Sequence, residues 1–530
     1  PDVILRERRF GDVAPESPWR FKELPEIVFS HRVVALALIC GLALVSAWLA
    51  VSFPPRMALG LFLGLIGGVA ILFEPFFGVL AYYLLGFLRP QDVFWGFQDA
   101  RFTMLVSSFT LASTAIKFAM KPDLRFLWQR QNFFVVILWV FLWLSTIYGD
   151  FGVPQPKWMD YWNKLFLIYF ISLAMVNSER RLYILGWVLM GSIGYLAIWA
   201  NERYFLDGWH VVHGPGRPGS AFYDENDFAM VIVMAVPFMW YIMRATTHWF
   251  VRVGLLGLMP LAAHAVMVTF SRGGFLGLSA VMGLIALREK NRKLGFTLLG
   301  AGVVFFLVLA GDEYKNRIGS IDEYEEDRSA AGRIEAWNTG LDMMAHNPFF
   351  GVGLKQFVEA FPYYANFEPR EAHNSWVQLG SEAGLPALGA YGMLVLLTVA
   401  SLRRVTKRIP HLPPGRNREI TENLVRIYEA SLLGYLVCGF FLSMEDFEFF
   451  YLIVAMSQIL DRVTGQRMRE HLAEQQAALE RERARREAEA RLSEGREADG
   501  GEGGPGGTQG PGGPGGAPGG GQPDPEPALP

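Results

Sequence analysis

His346-Asn347-Pro348-Phe349-Phe350-Gly351-Val352-Gly353 and, further on, Ala372-His373-Asn374-Ser375 stand inside one long polar stretch, 311–374, with apolar runs on both sides. The same stretch carries Ala331-Gly332-Arg333 and Trp337. Before and after it, apolar runs of about 17–20 residues recur, the length a helix needs to cross a hydrocarbon core about 30 Å thick. This pattern predicts an all-α polytopic membrane protein with one large extramembrane segment. An ordinary connecting loop is the plain alternative for that segment. Its residues favour a second reading, a polar platform where a membrane enzyme meets its substrate.

Working outward, about fourteen segments satisfy the length and apolarity of a span. They cover 33–52, 57–73, 75–88, 102–120, 132–149, 162–177, 181–200, 227–243, 253–270, 273–288, 294–311, 384–402, 424–443 and 446–462. The pair 57–73 and 75–88, parted only by Glu74-Pro75, also fits a re-entrant hairpin, so 12–14 transmembrane helices are expected. The organisation read from this is a polar N-terminal segment 1–32, a membrane domain 33–462, a charged helix 463–499 and a Gly/Pro-rich, disordered tail 500–530. The first apolar run is long enough to stay as a helix, and no cleavable signal peptide is visible.

Short cytoplasmic connections are enriched in Lys and Arg. The N-terminus, 121–130, Arg180-Arg181, 244–252, 288–293 and 403–418 are the basic connections, and the span count puts all of them on one side. Both termini are then expected inside. The connections 89–101, 150–160, 201–226, 270–272 and 311–374 are expected outside.

The chain has 52% hydrophobic and 19% charged residues, against about 25% charged in soluble domains. Its net charge of −3 points to no nucleic-acid partner. Cys40 and Cys438 both lie in apolar runs and read as small buried residues, not as a disulfide or metal pair. No P-loop, dinucleotide fingerprint, CxxC pair or HExxH occurs, so neither a cofactor nor a metal is expected. Glu74 and Glu429 hint at a proton relay in a transporter, but they are sparse and near span ends.

Three outward sites hold unusual groups. Arg217 precedes Asp224-Glu225-Asn226-Asp227, where Asn226 or Asp227 can cap the next helix; a loop pairing with Asp224 or Glu225 is the alternative for the arginine. Arg272 follows Ser271 between two apolar runs. A guanidinium there suits a pair of phosphate oxygens through two parallel hydrogen bonds, or else it snorkels from a helix end. His373 lies just before a span and suits a general base near neutral pH, with His346 and Asp342 as further candidates and Asn374, Ser375 and Glu382 following on one helical stretch.

Together these blocks resemble the O-antigen ligase and O-antigen polymerase superfamily. The resemblance rests on Thr269-Phe270-Ser271-Arg272-Gly273-Gly274, Gly332-Arg333 with Trp337, Asn347 to Gly353, His373-Asn374-Ser375 to Leu379, and Glu382-Ala383-Gly384-Leu385. The segment from Arg217 to Asn226 resembles the preceding family block, and Leu88-Arg89-Pro90-Gln91 resembles the exosortase-associated O-glycosylation ligase branch. The resemblance implies an inverting, metal-independent glycosyltransferase of C-type membrane architecture in the bacterial inner membrane, its active site facing the periplasm. The donor would be a glycan on undecaprenyl diphosphate. The acceptor would be lipid A-core in a ligase, another repeat unit in a polymerase, or a protein hydroxyl. By the same resemblance Arg217 and Arg272 would hold the diphosphate and His373 would activate the acceptor. Arg333 would bind phosphate or pair with an acid such as Glu335.

Overall fold

The computed structural model describes residues 55–93, 102–120, 124–149, 156–216, 222–289, 291–309 and 328–499, with isolated positions between 41 and 52 and at 122 and 151. The Gly/Pro-rich segment 500–530, the N-terminal segment 1–32 and Cys40 lie outside the described residues.

The helices are α1 Pro55–Phe73, α2 Pro75–Leu88, α3 Phe102–Met120, α4 Arg130–Tyr148, α5 Pro156–Met175, α6 Glu179–Phe205 and α7 Glu225–Ala245. They continue as α8 Trp249–Met267, α9 Arg272–Arg288, α10 Arg292–Leu309, α11 Arg328–His346, α12 Ser375–Arg408, α13 Arg416–Gly439 and α14 Glu448–Asp499. Among the described residues there is no strand. The chain is an all-α polytopic membrane protein. Six helices, α3, α4, α6, α7, α8 and α12, are long and apolar enough to cross a membrane by length and composition, and α2 is a shorter apolar helix. The expected segment 33–52 lies largely outside the described residues, and the remaining ones fall on helices.

α7 is the central element. Every residue from Phe228 to Ile242 is buried, and the helix packs against α6, α8, α9 and α13. α12 packs along α4. Where α4, α5 and α14 meet, Tyr169 Oη donates to Asn132 Oδ1 at 2.9 Å and Gln458 Nε2 donates to Tyr169 Oη at 2.9 Å. Away from water, such buried side-chain bonds link helices that lipid alone would not hold together.

Ion pairs and contacts form within each of the two expected sets of connections. At one end Glu74 pairs with Lys117 and Arg181, Glu179 with Arg467, and Asp461 with Arg404 and Arg408. Arg288 pairs with Glu429 and Arg244 with Glu289 at the ends of α9 and α7. At the other end the connections assigned outside touch one another. Phe151 N donates to Val352 O at 3.1 Å, Val212 N to Val268 O at 3.0 Å, and Arg89 lies 5.7 Å from the centre of the Phe222 ring.

The polar stretch is not a plain loop. Within it, α11 forms over residues 328–346 and packs on α12, and Phe357–Ala360 makes one further helical turn. Residues 310–327 lie outside the described residues. Beyond Met468 the chain forms a second unit, whose helical part is solvent-exposed and carries i,i+4 pairs such as Arg485–Glu489.

Candidate active site

The candidate site lies at one end of the bundle, where three helices begin. α7 is capped by Asp224, whose carboxylate accepts from Asn226 N at 2.8 Å and Asp227 N at 3.3 Å, and not by Asn226 or Asp227 as expected from sequence. α9 is capped by Ser271, which accepts from Gly274 N at 3.1 Å. α12 is capped by Asn374, which accepts from Trp376 N at 2.9 Å and Val377 N at 3.1 Å. A helix start presents unpaired N–H groups and the positive end of its dipole. Bringing several starts to one place makes it suited to anionic groups.

These starts are close-packed. A Cβ on Gly274 would meet Ala229 Cβ at 2.6 Å, so α9 and α7 approach each other only because glycine stands there. The connection from α13 to α14, residues 440–447, ties the rest together. Cys438 Sγ donates to Gly273 O at 3.6 Å, and Phe441 packs beside Gly273. Ser375 Oγ donates to Leu442 O at 2.7 Å and accepts from Met444 N at 3.0 Å. The Phe440 ring packs edge-on against Trp337 of α11 at 5.3 Å.

His373 stands between two anchored neighbours. Ala372 O accepts from Trp337 Nε1 at 2.8 Å, Ala372 N donates to Gln378 Oε1 at 3.0 Å, and Asn374 is the cap just described. The residue is half-buried with a left-handed backbone, φ 46°. Burial pushes its imidazole below the usual 6.5, and Arg333 pushes the same way against Glu371 and Asp224. At neutral pH the ring is therefore uncharged and able to accept a proton.

Of the four residues singled out from sequence, the structure brings Arg333 and His373 within electrostatic reach of each other. It sets Arg272, exposed as the first residue of α9, beside the connection that also holds Ser375. Arg217 lies outside the described residues; the described residues that follow it, Phe222 to Asp224, reach this end of the bundle. His346 is elsewhere in role: its Nδ1 bonds to Asp342 O at 2.8 Å at the end of α11. Cys438 is buried, as expected.

Five non-glycine residues among those described have a left-handed backbone: Arg89, Phe222, Phe270, Lys355 and His373. Each falls within or beside one of the sequence blocks, and all lie toward the same end. Such conformations cost about 1–3 kcal/mol each and persist where surrounding contacts enforce them, chiefly at functional sites.

The comparisons with known proteins bear on these blocks. Residues 257–392 match the family model described as O-Antigen ligase. The likeness to the O-antigen ligase and polymerase superfamily stands. Residues 57–247 match a Family of unknown function (DUF5935). A relative, the Teichuronic acid biosynthesis protein TuaE of Bacillus subtilis (strain 168), is 22% identical over 328 residues, 56% of this chain and 65% of the relative. The chain thus spans about two thirds of that relative's length, just under it.

Two residues of the site were not legible as such in the sequence. Lys355 and Glu445 meet through an ion pair of 2.9 Å, although they are far apart in the chain. The only local signal was the position of Lys355 directly after the Asn347-to-Gly353 block.

Proposed function

We propose that the protein is an inverting glycosyltransferase of the O-antigen ligase type, transferring a glycan from undecaprenyl diphosphate to an acceptor hydroxyl on the outer face of the cytoplasmic membrane. A C-type architecture belongs to this reading. The observation that supports it is three helix starts tied together at one end of the bundle, with Arg333 in electrostatic reach of His373, whose imidazole pKa is held below its usual range by burial.

In this mechanism the acceptor oxygen attacks the anomeric carbon as the bond from that carbon to the diphosphate oxygen breaks. His373 takes the hydroxyl proton. The electron pair of the broken bond leaves on undecaprenyl diphosphate, where Arg272 and Arg217 stabilise the growing charge. Attack opposite to the leaving group inverts the anomeric centre. Arg333 holds the histidine neutral and reaches toward the same anion.

The test is purified protein in lipid with a labelled donor. Release of undecaprenyl diphosphate that depends on an acceptor is expected. Passage of intact donor across the bilayer without bond cleavage would instead make the protein a transporter. The acceptor we favour is lipid A-core or a protein hydroxyl, as the block Leu88 to Gln91 suggests. A polymerase joining repeat units of an exopolysaccharide is the second reading, favoured by a relative named for teichuronic acid biosynthesis. Glycan profiling of a deletion strain separates them. Polymer retained on its carrier indicates a ligase, single repeat units indicate a polymerase, and intact surface glycan with unglycosylated protein indicates the protein-modifying branch.

A further inference from the structure

Lys355 has no part in the mechanism above, yet it is a heavily engaged cation. Its ammonium pairs with Glu445 Oε1 at 2.9 Å and Asp446 Oδ2 at 3.5 Å, and lies 5.1 Å from the centre of the Trp158 ring. Its backbone N donates to Glu382 Oε2 at 2.9 Å. Burial alone would push the Lys355 pKa down; Asp446, Glu445 and Glu382 overcome this and hold it well above the usual lysine range. The ammonium is therefore charged at neutral pH and serves as an ion-pair partner.

What it fixes is the connection 440–447. This is the segment that touches Gly273 beside Arg272, Ser375 beside His373, and Trp337 on the helix of Arg333. Ser443 Oγ also donates to Gln378 Oε1 at 3.1 Å, the same oxygen that accepts from Ala372 N. Gln378 Nε2 in turn donates to Glu382 Oε1 at 2.5 Å, closing a ring of contacts back to Lys355. Glu445 is almost fully buried, so without the ammonium its carboxylate would lose its charge partner with little water to replace it.

We propose that Lys355 is a positioning residue. By clamping Glu445 and Asp446 it sets the spacing between the arginine that receives the leaving group and the histidine that takes the proton. The proposal rests on the function given above for its activity arm, and on hydrogen exchange for an arm that does not need that function.

The experiment compares Lys355→Met, Lys355→Arg and Glu445→Gln with the unaltered protein in lipid nanodiscs. With an undecaprenyl-diphosphate glycan as donor, Lys355→Met should lower kcat by about 10–100-fold, the scale of a misplacement near 1 Å. Donor KM should change little, because the arginines remain. Lys355→Arg, which keeps the charge and can hold both carboxylates, should restore most of the loss. Amide exchange in 372–382 and 440–447 should rise in Lys355→Met and return in Lys355→Arg, while α7 stays protected. If Lys355→Met does not fold, Glu445→Gln carries the test with the same kcat and exchange signs, since it weakens the clamp without stranding a charge. Unchanged kcat and exchange in either folded variant overturns the proposal. So does a rise in donor KM with kcat intact, which would make Lys355 a binding group. If the unaltered protein cleaves no donor, the function fails, and the exchange result still decides whether Lys355 clamps the connection.

Discussion

His373 is placed by its neighbours more than by its own contacts, and its chemistry follows from that placement. Burial and Arg333 depress its pKa below 6.5, so the base form predominates at neutral pH. The rate of transfer should fall only as pH drops through that lowered value. Arg333 is one of the depressing causes, so Arg333→Gln should move the acid limb of the kcat/KM profile to higher pH. Glu371 acts the other way, and Glu371→Gln should move it lower. A limb that does not respond to either change would remove His373 as the titrating base. His373→Ala should abolish transfer while leaving donor binding, measured by co-sedimentation of labelled donor with proteoliposomes, largely intact. For Arg272, replacement by Ala should cost on the order of 10²–10³-fold in kcat, the scale of one lost anion-stabilising group. Arg272→Lys should recover little, because the planar fork is lost; full activity in the lysine variant would show that a point charge suffices.

Among the elements, α12 is the one whose irregularity has a purpose that can be traced. At Gly384 the backbone turns to φ 83° and ψ 171°, a conformation open essentially to glycine alone. Pro386 follows two residues later and has no N–H to give to the helix ladder. The break frees carbonyls that a regular helix would use. Ser381 O accepts from Val352 N at 2.8 Å, and Glu382 O accepts from Gly353 N at 3.1 Å and from Ser145 Oγ at 2.6 Å. In return Leu385 N donates to Pro348 O at 2.8 Å. The blocks Asn347–Gly353 and Glu382–Leu385 are thus two halves of one joint, which explains why they occur together. A Cβ at position 384 would meet Phe349 O at 2.4 Å. Gly384→Ala should therefore lower stability by about 1–3 kcal/mol from the backbone alone, with the clash in addition. The expected result is a lower Tm in detergent by tryptophan fluorescence, and an unchanged Tm would mean that the joint relaxes without cost.

At the scale of the whole molecule, the two-ended arrangement predicts sidedness. A reporter active only outside the cytoplasm should be active when fused at Gly340 and inactive when fused after Val463. Activity at the second position would invert the assignment. The all-α membrane class was legible in the chain by itself, because span length is a local property of sequence, and the Lys/Arg bias supplied the expected grouping of the connections into two sets. It also led to the expectation that Arg217, Arg272, Arg333 and His373 share one side, since the connections that carry them alternate with the basic ones. The tertiary structure decided what the sequence could not. Residues 328–346 of the polar stretch form α11, whose apolar face is completed by Val352, Phe357, Phe361 and Ala372 and by α12. The cap of α7 is Asp224, because the turn leading into that helix is set by packing at its start. Lys355, Gln378, Glu382 and Glu445 become one connected group only when α12 and the connection 440–447 meet. Ion pairs and hydrogen bonds across such distances leave no periodic trace in a chain, since they depend on where folded elements end in space and not on how residues are spaced along them.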